Sequence, residues 1–290
     1  MNEATLCVGI DVHQNTLNFY PLDKATSKSV KSPLTVLNNR PGAEQAISNL
    51  CQILFDHGYD HLELAMEATG NFWLPLYDYL QKHSFLAPFH PLIVSFNPKL
   101  VAKFKGGLDL RKEKNDNRDA YAIAERLRFG HLPKTFVPES SWQALRRLTR
   151  YRCSLSHALA WEKTRFLAYS FLKLSSWQQV EPFSDSIGAT SAALLTEFSF
   201  GELAEMPLEE MVDLIVHYGR GHFKDPIATA QKVKETLKTS YPVAPELDEA
   251  VTFTLSMMLE HIRFLEKLLK ELELSIAKRM EHVSLSLIHI

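Results

Sequence analysis

Short apolar runs separated by polar turns fill the first part of the chain. Residues 5–11, 16–22 and 30–37 have the length and composition of β-strands. Polar segments at residues 13–15 and 23–28 separate these runs. The pattern therefore predicts three strands joined as an antiparallel meander.

After the third run, the apolar positions repeat with the period of a helix, and helix and strand patterns then alternate. The predicted elements are a helix from Pro41, a strand that ends at Glu67, a helix over residues 72–83, an apolar stretch from Phe85 to Val94, a short helix from Asn97, a loop over residues 103–115 and a helix that begins at Asp116. Three strands followed by this alternation predict an α/β sheet with flanking helices, which we assign to residues 1–137.

Beyond Pro138 the strand signals disappear, and apolar residues recur at steps of three and four. Two segments, at about residues 140–174 and 246–283, carry this heptad pattern and predict long helices. The Pro and Gly residues between them, within 176–244, predict short helices with turns. Residues 138–283 are therefore predicted to form an all-α coiled-coil region, in which the long helices pack as an antiparallel hairpin and also dimerise.

Four acidic residues stand at the ends of predicted strands or at the start of a predicted helix, namely Asp11, Glu67, Asp116 and Asp119. Asp11 and Glu67 each close a short apolar run. Asp116 and Asp119 are three positions apart, so they share one face of the first turn of a helix. An RNase H-like fold would bring these carboxylates together around divalent metal, and the protein would then act on the phosphodiester backbone of nucleic acid.

Helix N-termini favour Asp for reasons unrelated to catalysis, because the helix dipole and the backbone N–H groups there stabilise negative charge. For Asp119 alone, this structural explanation and a metal site have about even weight. An Asp at the end of a buried strand has a weaker structural reason, since burying an unpaired carboxylate is costly and α/β folds place their chemistry at strand ends. Asp11 is therefore the strongest single candidate.

The net charge of −2 hides an uneven distribution of charge along the chain. Cations surround the acidic pair and recur soon after it, whereas residues 197–213 are acidic. The candidate nucleic-acid-binding residues are Lys99, Lys103, Lys105, Arg111, Lys112, Lys114, Arg118, Arg146, Arg147 and Arg150. Cations gathered around a metal site would hold a polyanion there, and a solvated basic face is the alternative explanation.

The composition, with 290 residues of which 46% are hydrophobic and 23% charged, fits one or two globular domains. Cys7, Cys51 and Cys153 are far apart and form no CxxC pair, which argues against zinc and a disulfide framework and favours a reducing compartment. No apolar run has the length of a membrane span, and the N-terminus lacks the pattern of a signal peptide. We therefore expect a soluble, intracellular protein without a membrane partner.

Several short motifs surround the four acids. They are Gly9-Ile10-Asp11-Val12-His13, Glu67-Ala68-Thr69-Gly70 with Trp73 and Pro75, Asn97-Pro98 with Phe104-Lys105, and Lys114-Asn115-Asp116 with Asp119-Ala120 and Ile123-Ala124. Together they are specific, and the chain resembles the N-terminal part of an IS110-family (IS110/IS1111) transposase with its DEDD, RuvC-like domain. Asn115 departs from the family pattern, which usually has Thr or Ser at this position.

The resemblance implies that Asp11, Glu67, Asp116 and Asp119 form a catalytic tetrad that binds Mg²⁺ or Mn²⁺. It also implies that the protein recombines DNA with guidance from a structured RNA, that it forms a dimer or tetramer, and that it works in the prokaryotic cytoplasm near the nucleoid. The family carries a further C-terminal domain with a nucleophilic serine. This chain stops shortly after residue 283, and residues 284–290 resemble translated adapter sequence, so we expect a truncated fragment with a non-native tail that does not complete strand exchange alone.

Other functions remain open from the residues alone. A Holliday-junction resolvase would use the same four acids but would not need the heptad segments. A sugar-kinase or actin-like ATPase needs Gly-rich phosphate loops, and residues 13–15 after Asp11 provide none. A non-catalytic nucleic-acid-binding or dimerisation remnant would use the acids only as helix caps.

Overall fold

The structure, a computed structural model, describes residues 4–107, 116–132 and 140–287, without the side chains of Asp116 and of residues 282–287. The chain divides into two compact units, Met1–Val137 and Pro138–Ile290. Each unit has its own hydrophobic core, so each is described by itself.

The first unit is built on a five-stranded mixed sheet. Its elements are β1 (Thr5–Val12), β2 (Thr16–Asp23), β3 (Leu34–Leu37), α1 (Arg40–His57), β4 (His61–Glu67), α2 (Trp73–Gln81), a 3₁₀ helix (Ser84–Phe89), β5 (Leu92–Phe96), α3 (Pro98–Gly107) and α4 (Asp116–Arg128). The strand order is β3-β2-β1-β4-β5. The pairs β1–β2 and β2–β3 are antiparallel, and the pairs β1–β4 and β4–β5 are parallel. The meander and the mixed α/β architecture predicted from the sequence are therefore present.

Helices cover both faces of this sheet, which explains why the central strands are apolar along their whole length. Leu6, Val8 and Ile10 of β1 point to the core that contains the inner face of α1. Cys7 points to the opposite core, which contains Val101 of α3 and the inner face of α4. Because side chains alternate along a strand, each face of β1 is assigned to one helical layer.

In the first unit, two predicted boundaries differ from the structure by four residues or more. The loop predicted for residues 103–115 is wrong in its first part, because α3 continues to Gly107 and the ring of Phe104 packs against that of Phe129, 6.1 Å between centroids. The rest of that predicted loop lies outside the described residues. The strand predicted for residues 30–37 is shorter, since β3 pairs with β2 only over Leu34–Leu37.

Helices joined by turns, without a strand, make up the described part of the second unit. It comprises α5 (Ser140–Lys173), α6 (Trp177–Val180), α7 (Ala189–Glu197), α8 (Phe200–Glu205), α9 (Leu208–Gly219), α10 (Pro226–Thr239) and α11 (Pro245–Leu287). Arg152 of α5 pairs with Glu273 of α11 at 2.7 Å, and Lys163 pairs with Glu266 at 2.6 Å. Since the residue numbers rise along α5 while they fall along α11, the two long helices pack antiparallel.

The buried face of α11 follows the heptad positions of the sequence. Leu255, Met258, Ile262 and Leu265 are each at most 5% exposed. Supercoiling and dimerisation of these helices stay predictions. Near the end of α5, Lys173 is fully buried, and its ammonium donates hydrogen bonds to the backbone oxygens of Leu195 and Phe198 and to the hydroxyl of Thr252 on α11.

Candidate active site

Asp11 and Glu67 lie at the same edge and on the same face of the sheet. They stand near the carboxyl ends of the neighbouring parallel strands β1 and β4, whose register pairs Ile10 with Met66. Asp11 is four positions from Cys7 on β1, and Glu67 is two positions from Ala65 on β4. Residues an even number of positions apart on a strand point to the same face of the sheet. Cys7 and Ala65 both belong to the core under α4, so both carboxylates are directed to the α4 side of the sheet.

Helix α4 lies directly on β1, and Gly9 permits this close approach. A Cβ atom at Gly9 would come within 2.0 Å of the backbone oxygen of Ala120 and 2.4 Å of the backbone nitrogen of Ala124. Further along α4, Glu125 accepts a hydrogen bond from Ser27, which follows β2 on the side where β1 begins. Helix α4 therefore runs antiparallel to β1, and its first turn lies at the carboxyl end of β1.

This direction brings the last pair of acids to the edge that carries Asp11 and Glu67. Asp119 precedes the contact residue Ala120 by one position, and Asp116 is the first residue of α4. The side chain of Asp116 lies outside the described part of the structure. The four sequence-predicted acids thus come from three elements that meet at one edge of the sheet.

The two strand acids have close polar neighbours. The Oδ2 atom of Asp11 lies 3.0 Å from Nε2 of His13, and the Asp11 side chain is 14% exposed. The hydroxyl of Thr69 donates a hydrogen bond of 2.5 Å to Oε1 of Glu67. His13 follows β1 by one position and Thr69 follows β4 by two, so the turns after these strands supply the contacts.

Asp119 forms an ion pair with Lys105 of α3, 3.0 Å between Oδ1 and Nζ. Both side chains are partly buried, with 31% of Asp119 and 21% of Lys105 exposed. Helix α3 is held against α4 by Val101, which is fully buried one turn before Lys105. Lys105, which the sequence assigns to nucleic-acid binding, therefore contacts a carboxylate of the candidate site.

The donor chemistry of this edge suits a hard divalent cation. Carboxylate oxygen is the ligand that Mg²⁺ and Mn²⁺ prefer, and Asp11, Glu67 and Asp119 all supply it. Among the side chains that the structure describes, however, no three His, Cys, Asp or Glu groups lie close enough together to hold one ion. The residue types fit the metal, and the side chain of Asp116, the fourth predicted ligand, lies outside the described part of the structure.

The other predicted nucleic-acid-binding residues lie on helices or outside the described chain. Lys99 and Lys103 are exposed on α3, and Arg118 is exposed in the first turn of α4. Three further predicted nucleic-acid-binding residues are exposed on α5 of the second unit, namely Arg146, Arg147 and Arg150. The candidates that lie outside the described residues are Arg111, Lys112 and Lys114.

Sequence reasoning did not find the roles of Gly9 and Lys105. A glycine inside a strand pattern is a signal for close approach of another backbone, and Gly9 carries that signal. The pairing of Lys105 with Asp119 had no comparable signal, because fourteen positions and a segment outside the described residues separate the two residues in sequence.

Comparison with known proteins assigns the chain to a class and to a family. A family model described as a transposase matches residues 8–172, more than half of the chain. This match supports a DNA-recombining enzyme of the transposase class. The chain belongs to the family of IS110 DEDD transposases, as its motifs predict.

Comparisons with curated proteins and with solved structures add little to this family assignment. No curated protein matches the chain. Among solved structures, the chain is similar to the crystal structure of the Aquifex aeolicus member of the Ppx/GppA protein family, with 9% sequence identity and a TM-score of 0.25. The alignment covers 89% of this chain and 99% of the Aquifex aeolicus chain. In the described parts of the chain, no helix is both long enough and apolar enough to cross a membrane.

Proposed function

We propose that the first unit is an RNase H-like catalytic domain in which Asp11, Glu67, Asp116 and Asp119 bind Mg²⁺ or Mn²⁺ for phosphodiester chemistry on DNA. The observation that carries the proposal is the meeting of β1, β4 and the first turn of α4 at one edge of the sheet. The strand order supports it as well, since β2 runs against the other four strands of the described sheet.

In this proposal, two of the acids come from the sheet and two come from α4. Asp11 and Glu67 sit on adjacent strands that hydrogen bonds fix in register, so they form the rigid half of the site. Asp119 and Asp116 approach from α4, whose position depends on contact with the backbone of β1. When bound, divalent metal would neutralise the attacking and leaving oxygens of an in-line phosphoryl transfer.

Exposed cations beside this edge would bind the phosphate backbone. Lys99 and Lys103 on α3 and Arg118 on α4 belong to the same unit as the acids, and all three are exposed. Such contacts position nucleic acid without reading its sequence. We propose that base pairing with a structured guide RNA supplies the choice of target, and that the long helices of the second unit mediate oligomerisation.

Metal binding tests the site without requiring recombination. We expect Asp11→Asn to lower Mn²⁺ affinity at least about tenfold, because it removes one negatively charged ligand. Asp60→Asn is the matched control, since Asp60 is exposed and immediately precedes β4, at the end opposite to Glu67. Binding is measured from the electron paramagnetic resonance signal of unbound Mn²⁺.

A non-catalytic nucleic-acid-binding protein is the second candidate, and it is favoured by the finding that no three potential metal ligands cluster among the described side chains. In that case the acids only stabilise strand and helix ends. Asp11→Asn would then leave Mn²⁺ binding equal to that of Asp60→Asn, while DNA binding, measured by fluorescence anisotropy, would persist in both variants.

A further inference from the structure

The ion pair between Lys105 and Asp119 places a positive charge at one carboxylate of the proposed metal site. An ammonium at 3.0 Å from Oδ1 uses the same oxygen lone pairs that a metal ion would use. A lysine nitrogen and a divalent cation also repel each other at this range. The pair therefore competes with metal for Asp119.

The position of Lys105 follows from the packing of α3. Val101 is fully buried in the core that also contains Ile123 of α4. Residues four apart lie on the same face of a helix, so Lys105 faces α4 for the same reason. Phe104 packs on Phe129 just beyond the end of α4, which adds a second anchor. The contact with Asp119 is thus built into the docking of the two helices.

We propose that Lys105 occupies the cation position at Asp119 while no nucleic acid is bound, and that it gives up this position when a nucleic-acid phosphate accepts its ammonium. Metal then gains access to Asp119. The proposal rests on the metal site described above, and it adds a regulation of that site.

If Lys105 exchanges between Asp119 and a nucleic-acid phosphate, the binding of metal and the binding of nucleic acid are coupled. Linkage requires that nucleic acid raise metal affinity by the same factor as metal raises nucleic-acid affinity. Metal would then load mainly on the complex with nucleic acid, and the carboxylates would hold little metal in its absence. The Lys105–Asp119 ion pair is partly exposed, so solvent weakens it, whereas metal–ammonium repulsion adds to its effect; we therefore expect a coupling of about three- to tenfold.

The test compares Mn²⁺ affinities of the full chain by electron paramagnetic resonance, with and without a short duplex DNA oligonucleotide. Lys105→Met removes the competing charge. Lys82→Met removes the same charge from an exposed position at the end of α2, where no nucleic-acid contact is proposed, and Lys105→Arg keeps a cation in place. Asp11→Asn supplies the background, because DNA itself binds Mn²⁺.

We expect Lys105→Met to bind Mn²⁺ about three- to tenfold more tightly than the wild type without DNA, and to gain correspondingly less affinity when DNA is added. Lys82→Met and Lys105→Arg should stay within about twofold of the wild type. Equal or weaker Mn²⁺ binding by Lys105→Met would overturn the proposal and leave the metal site intact. An equal gain in Lys82→Met would overturn it too, because the loss of any one positive charge from the unit would then explain the higher Mn²⁺ affinity. Binding that survives Asp11→Asn would instead remove the proposed site itself.

Discussion

Gly9→Ala should separate α4 from β1, because the added methyl group meets backbone and not a movable side chain. The new Cβ would lie 2.0 Å from the backbone oxygen of Ala120 and 2.4 Å from the backbone nitrogen of Ala124. To reach even a tight contact, α4 must move by about 1 Å. Ala120, Ile123, Ala124 and Leu127 of α4 are fully buried, so this movement opens the core beneath them.

The cost can be estimated from the size of the conflict. Inserting a methyl group into a well-packed core costs about 1–3 kcal/mol. Amide hydrogens in β1 that exchange through unfolding of this unit should therefore exchange about 5- to 150-fold faster in Gly9→Ala. The rates are measured by hydrogen–deuterium exchange with mass spectrometry, which follows the first unit separately from the second.

Gly107→Ala is the matched control, because a Cβ at Gly107, the last residue of α3, meets no atom within 4 Å. Exchange in β1 should be unchanged in that variant. Metal binding supplies a further measurement, since a displacement of about 1 Å exceeds the tolerance of a coordination shell and should lower Mn²⁺ affinity at least about tenfold. Wild-type exchange rates in Gly9→Ala would refute the close packing of α4 on β1.

Three further predictions concern the second unit. Burial lowers the pKa of Lys173 to about 8. Between about pH 8 and 10.5 the unfolded chain therefore binds more protons at this side chain than the folded chain does. As the pH rises through this range, the unfolding free energy of the wild type should increase relative to that of Lys173→Met by up to about 3 kcal/mol, which urea unfolding at about pH 8 and 10.5 would measure. Leu255→Ala, at a fully buried position of α11, should cost about 2–5 kcal/mol in urea unfolding, whereas Leu274→Ala, where the side chain is 65% exposed, should change it by less than about 0.5 kcal/mol. A double-mutant cycle on Arg152 and Glu273, whose side chains are about half exposed, should give a coupling of at most about 1 kcal/mol.

The sheet and the positions of the strand acids were accessible from the sequence because each depends on local pattern. The apolar run before Asp11 and the similar run before Glu67 each predicted a buried strand, and both strands are present. The heptads likewise predicted two long helices. The end of α3 was not accessible, because Gly106 and Gly107 favour a loop by themselves, whereas the contact of Phe104 with Phe129 keeps the segment helical.

The sequence by itself determined the periodicities, the four acids and the family motifs, since these are carried by residues close together in the chain. Only the tertiary structure decided which residues lie in contact with the acids and with the elements that carry them. The approach of α4 to Gly9 and the pairing of Lys105 with Asp119 both join segments that are distant in sequence. Such contacts are set by the packing of whole helices against the sheet, and local preference carries no information about them.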